Sequence, residues 1–317
     1  MKYKPLFIAV IAFITLLTAG NSFGQDVNIH GFVSQGYILS SDNSFIAMDT
    51  EDGTFEFNEL GINFSTKVKD NLKIGMQIFA RDIGDIGEDE PCIDWAFGDY
   101  SWREWLGLRA GYLKVPLGLY NETRDVDCLR TSILLPQSVY SEWDRDLNQG
   151  AKGMSAYGNL PTNMLGNFRY EFMAFALDIP MDSGVIQHIE SYATVKNVSS
   201  FTIDDVYLLG LKWDAPVTVG NLMFGFNYIQ LTVEQNSIMY LPQETAASSK
   251  LDSVNMIFSL EYIWEDLTIA SEMRLIERDT SSLLPIPQLN RVVDATSYYV
   301  SAAYRFNEFF ELGTYYC

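Results

Sequence analysis

Hydrophobic and polar residues alternate with a period of two along most of the chain, in runs separated by turn-forming residues. From Asn71 to Arg81, Leu72, Ile74, Met76, Ile78 and Ala80 share one face, while Lys73, Gln77 and Arg81 share the other. Leu222, Phe224, Phe226 and Tyr228 oppose Gly225 and Asn227 in the same way. About 13 strands are predicted. The first six span 29–39, 55–66, 71–81, 93–100, 105–114 and 151–158. The others span 168–177, 205–214, 221–232, 253–264, 267–277, 297–305 and 309 to the end.

Alternation alone does not separate a soluble sandwich from a barrel with an apolar outside, because each has one apolar face per strand. The connections do separate them. Those at 67–70, 101–104, 265–266 and 307–308 are short, whereas those at 40–54, 82–92, 115–150, 178–204, 233–252 and 278–296 are long. Sorting by parity is the mark of an antiparallel up-and-down transmembrane β-barrel, with tight turns at one rim and long loops at the other. Trp102, Trp105, Tyr157, Trp213, Trp264 and Tyr304 fall near strand ends, where an aromatic girdle sits. Such barrels close with an even strand number, and the thirteenth run reaches Cys317 without a closing partner. The expectation is a chain interrupted before its last strands.

The first residues set the compartment. Lys2 and Lys4 precede an apolar run from Leu6 to Leu17, and Ser22 and Gly24 place small residues before Gln25. Residues 1–24 therefore read as a signal peptide, and 25–317 as the barrel. The run is too short for a spanning helix, which needs roughly 20 apolar residues.

Composition narrows the function by exclusion. With 41 acidic against 21 basic side chains, the chain lacks the basic surface that nucleic acid requires. Its two histidines, His30 and His188, are too far apart for a metal or catalytic cluster, and no nucleophile elbow or phosphate loop is present. No enzyme activity, metal or cofactor is expected. Cys92 and Cys128 lie on neighbouring long connections, and an oxidising envelope would allow them to pair. Free or buried thiols are the alternative.

One connection stands apart. Val115 to Gly150 is too long to be a plain link and carries apolar residues, among them Ile133, Leu134, Leu135 and Val139. Folded into the barrel, these would pack on the wall. The charges Glu122, Arg124, Asp125, Asp127, Arg130, Arg145 and Asp146 would then narrow the lumen as a pore constriction and sort solutes by sign. An external cap is the plainer reading. Arg109, Arg169, Glu171, Lys212, Glu261, Glu272 and Arg274 are lumen-facing by parity.

The stretch GYLKVPLGLYNETRDVDCLRTSILLPQSVYSEWDRDLNQGAKGMSAYG, Gly111 to Gly158, resembles Gram-negative outer-membrane porins related to the phosphate-selective O/P group. The opening IHGFVSQGYILS, Ile29 to Ser40, is similar to the first strand of that class. The resemblance implies 16 strands in the complete chain, a homotrimer, and the third long loop folded inward. It implies a water-filled channel in outer-membrane lipid for passive diffusion of ions and small hydrophilic solutes. The phosphate preference does not carry over, because this chain is poor in the Arg and Lys that would line such a path. An adhesin or structural barrel with a plugged lumen is the alternative function.

Overall fold

The computed structural model describes residues 26–317 except 42, 43, 47, 149, 193, 241, 242 and 283–289. Residues 1–24, expected to be a signal peptide, lie outside the described residues.

Among the described residues, thirteen strands form one sheet in which each pairs antiparallel with its sequence neighbours. They are β1 (Val27–Gln35), β2 (Asn58–Lys69), β3 (Leu72–Asp82), β4 (Cys92–Arg103), β5 (Leu106–Lys114) and β6 (Gly150–Thr162). There follow β7 (Gly166–Leu177), β8 (Val195–Ala215), β9 (Asn221–Tyr240), β10 (Glu244–Trp264), β11 (Leu267–Ser282), β12 (Arg291–Asn307) and β13 (Phe310–Tyr316). This all-β meander is the wall of an up-and-down barrel, with β1 and β13 as its two edges. A helical turn, α1 (Arg145–Asn148), precedes β6, and a short helix, α2 (Gly184–Glu190), lies between β7 and β8.

Inside and outside follow the predicted parity. On β3, Gln77, Phe79 and Arg81 are buried inward, whereas Ile74 on the opposite face is exposed. On β8, Val206 and Leu208 are buried, and Tyr207, Leu209 and Leu211 are exposed. Leu108, Met154, Phe172, Phe258, Met273 and Val300 continue this apolar outer surface on other strands. Phe168, Trp213 and Phe224 stack side by side near the short-turn rim, with ring centroids 5.9 and 5.5 Å apart.

Several strands outrun the sequence reading. The connection expected at 233–252 is not a long loop, because the β9–β10 ladder continues to the pair Tyr240↔Glu244. The apolar alternation fades there, since both faces carry polar residues such as Gln235, Asn236 and Ser249. The backbone hydrogen bonds need no such pattern and persist. The helix α2 occupies part of the connection expected at 178–204, and β8 begins at Val195, ten residues before its predicted start at Asp205.

Candidate functional site

The connection from Val115 to Asn148 lies inside the curled sheet. It bonds to Glu59 on β2, Arg81 on β3, Asn227 on β9, Glu272 on β11, Tyr298 on β12 and Glu311 on β13. One segment can touch both ends of a meander only if the sheet bends around it. Asn121 closes its neck, donating from Nδ2 to the carbonyls of Val115 (2.8 Å) and Asn148 (2.6 Å).

Toward β2–β5 the segment is held by charge. Arg145 donates to Glu59 (2.6 Å), Asp125 (2.9 Å) and Glu142 (3.2 Å). Arg124 donates to Glu142 (2.7 Å) and to the carbonyls of Tyr140 and Ser141. Arg81 bridges Glu142 (3.3 Å) and Asp146 (2.9 Å). Lys114 pairs with Asp125 and, at 3.1 Å, with Asp94. Burial alone would push the Glu142 carboxyl up, but the guanidiniums of Arg124, Arg145 and Arg81 outweigh it and hold it at about 2. Burial likewise opposes ionisation of Asp125, and Lys114 and Arg145 overcome it, holding that carboxyl well below the usual range. For Arg145 the desolvation is outweighed by Glu59, Glu142 and Asp125, so its charge is secured. The lattice pairs every one of these charges with an opposite one, while Glu59 Oε2, Arg124 Nε and Nη1 and Arg145 Nε are buried without a hydrogen-bond partner among the described residues.

Toward β7–β12 the contacts are apolar and hydroxylic. Val115, Leu117, Leu135, Val139 and Tyr140 pack with Met173, Phe175, Val206, Leu208, Ile229 and Ile257 from the wall in one buried cluster. At its edge Glu272 accepts from Tyr140 Oη, Tyr299 Oη (2.9 Å), Ser259 Oγ (2.6 Å) and the Leu119 N–H (3.0 Å). Burial, then the Glu272 charge, pushes the Tyr140 hydroxyl well above its ordinary range, so it stays a donor. Gly118 has φ +63° here, and a Cβ on it would meet Tyr140 Oη and Glu272 Oε1.

Several expected site residues are placed differently. Arg124, Asp125 and Arg145 do not face a water path: each is 2% exposed, Arg145 paired with Glu59 on β2, Asp125 with Lys114 on β5, and Arg124 with Glu142 of the segment itself. Asp146 is committed to Arg81 and to the Gly184 N–H. Asp127 and Arg130 pair with each other and are half-buried, whereas Glu122 is exposed. Among the lumen-facing set, Glu272 and Arg274 are buried rather than open to water. Arg109, Glu171, Lys212 and Glu261 are half-buried, and Arg169 is exposed and pairs with Asp214 at 2.6 Å. Of the two cysteines expected to pair, Cys92 is a free thiol at the exposed start of β4, and the side chain of Cys128 lies outside the described residues.

Arg109, Glu171, Lys212 and Glu261 alternate in sign across β5, β7, β8 and β10. Glu171 lies in the fields of Glu122, Arg109 and Lys212, and Glu261 in those of Lys212 and Arg169. Next to this row is a cavity of about 400 Å³ lined by Tyr120, Arg130, Thr131, Glu261, Tyr299 and Glu311, among others. Glu59, Arg81, Tyr140, Glu142 and Tyr299 were not among the expected site residues. Only the inward parity of Arg81 and the Glu142–Arg145 spacing of three hinted at their part.

No family model and no curated protein matches this chain. Among solved structures it is similar in layout to the outer membrane channel DcaP of Acinetobacter baumannii. That pair shares 12% identity over 92% of this chain and 90% of the other, at a TM-score of 0.39. A mutant of Rh. blastica porin matches at 10% identity over 92% and 93% of the two chains, TM-score 0.40. Salmonella typhi OmpF in complex with daunomycin matches at 12% identity over 90% and 87%, TM-score 0.36.

Proposed function

We propose that this chain is an outer-membrane porin, a water-filled channel for passive diffusion of ions and small hydrophilic solutes. The observation that carries the reading is the pairing of an apolar outer wall with a half-buried inner row of alternating charge, beside an inward segment. An exposed apolar belt of this extent is costly in water, at about 25 cal/mol per Å², and is at home in lipid. A row of fixed charges of both signs suits small polar solutes. The Gram-negative outer membrane, removal of residues 1–24, homotrimeric assembly and kinship with the phosphate-selective group belong to the same proposal.

The constriction is formed by Glu122 and the Asp127–Arg130 pair against Arg109, Glu171, Lys212 and Glu261. Arg124, Asp125, Arg145 and Asp146 hold the segment rather than filter solutes. Reconstitution into planar bilayers tests this. Stepwise conductance is expected, and Glu122→Gln with Glu261→Gln should move the reversal potential under a salt gradient toward anions. A correctly folded, heat-modifiable protein that gives no conductance overturns the channel reading. An unchanged reversal potential removes these two carboxylates from the path.

A further inference from the structure

Four arginines are buried inside the barrel: Arg81, Arg124, Arg145 and Arg274. The first three each lie against at least one carboxylate. Arg274, 9% exposed, forms no ion pair among the described residues. Its guanidinium donates only to neutral oxygens: Asn255 Oδ1 from Nε (3.3 Å) and Nη2 (3.0 Å), and the Val139 carbonyl from Nη1 (3.3 Å). That uses three of five N–H donors. The neighbouring inward carboxylate of β11, Glu272, is already occupied by Tyr140, Tyr299, Ser259 and Leu119. A desolvated cation bonded only to neutral oxygens is costly unless an anion completes it, and Asp144, whose field reaches Arg274, forms no ion pair with it.

Arg274 lines a cavity of about 320 Å³ on the long-loop side of the inward segment. The charged groups around that cavity are Arg274, Arg278 and Asp144, with His188 on α2. Much of the remaining lining is apolar, including Val185, Ile189, Phe201, Ile203, Leu231 and Val233. A hydrated inorganic ion gains nothing from such walls, whereas an organic anion would bury its body on them. We propose that this vestibule binds a small amphipathic organic anion, its carboxylate seated on Arg274 and its hydrocarbon body on the α2–β8–β9 wall. The site lies apart from the charge row, and binding there does not depend on conductance.

The test is equilibrium binding to the full chain in detergent, with 3-phenylpropanoate as probe. Acetate supplies the charge without the body, 3-phenylpropan-1-ol the body without the charge, and inorganic phosphate a different anion. Saturable binding of 3-phenylpropanoate is expected, at least tenfold tighter than any of the three. Asn255→Asp is the decisive variant, because it gives Arg274 an internal counter-charge with almost no change in shape. It should weaken 3-phenylpropanoate at least tenfold while the protein keeps its heat-modifiable fold. Arg274→Gln should do the same, and Val233→Ser should weaken 3-phenylpropanoate but not acetate. Undiminished binding in folded Asn255→Asp overturns the proposal. So does equal binding of the alcohol or of phosphate, or no saturable binding of 3-phenylpropanoate.

Discussion

On the side facing β2–β5 the inward segment meets charges; on the side facing β7–β12 it meets alkyl groups and hydroxyls. The first side is a lattice of ion pairs around Arg145 and Glu142, both nearly excluded from water. The second is an apolar cluster finished by one carboxylate that accepts four hydrogen bonds. Ion pairs fix direction and register, because a misplaced buried charge is expensive. Apolar packing supplies attraction that tolerates small shifts. A segment held both ways is pinned on one flank and cushioned on the other.

Arg145→Ala should break this contrast most sharply, leaving Glu59, Asp125 and Glu142 without their shared cation. The expected loss is about 3–5 kcal/mol, read as a fall in the urea midpoint in detergent and as new proteolytic cleavage within residues 115–148. A loss comparable to that of an exposed pair such as Lys152–Asp178 would mean that the lattice is not holding the segment.

Acid should loosen the same flank alone. Glu142 sits at about 2 against an ordinary 4.5, so its contribution is complete above pH 4.5 and declines as pH falls through that window. It is gone below pH 2, a difference of roughly 3 kcal/mol. Asp125, also held low, acts in the same direction. Pepsin cleavage within the segment should therefore rise as pH falls from 4.5 toward 2, and mass spectrometry of the fragments would locate it. Cleavage that is flat with pH would contradict the assignment.

Leu135→Ala attacks the cushioned side. It should cost about 2–3 kcal/mol, low in the range for such changes because the segment can settle into the space. Its effect should be the same at low and high salt. The smallest change is Tyr140→Phe, which removes one donor to Glu272 and the acceptor for the Leu119 and Tyr120 N–H groups. About 1–2 kcal/mol is expected, visible as faster amide exchange at Leu119 and Tyr120. Unaltered exchange there would separate Tyr140 from the neck.

The strands were legible in the sequence because period-two alternation records which face meets the apolar side, and the run from Leu72 to Ala80 shows it plainly. Their full lengths were not. Beyond Val233 neither face is consistently apolar, yet the β9–β10 ladder continues. The unusual connection was legible from its length and from Leu135 and Val139. The fate of its charges was not, because the partners of Arg124, Asp125 and Arg145 include Glu59 and Lys114 on other strands. Only the folded register brings those residues together. Arg274 was read as lumen-facing by parity alone. Its burial and its bonds to neutral oxygens alone come from Asn255 on β10 and from the loop packed over it.

The meander has a consequence for the order of assembly. Every strand pairs with its neighbour in sequence, so the wall can grow hairpin by hairpin with little loop-closure entropy at each step. The inward segment has no such advantage. Leu119 finds Glu272 across 153 residues of chain, and Thr131 finds Glu311 across 180. Those two anchors do not exist until β11 and β13 are in place. The wall partners of its arginines and carboxylates stand on β2, β3 and β5, whereas its hydroxylic flank requires β11 and β12.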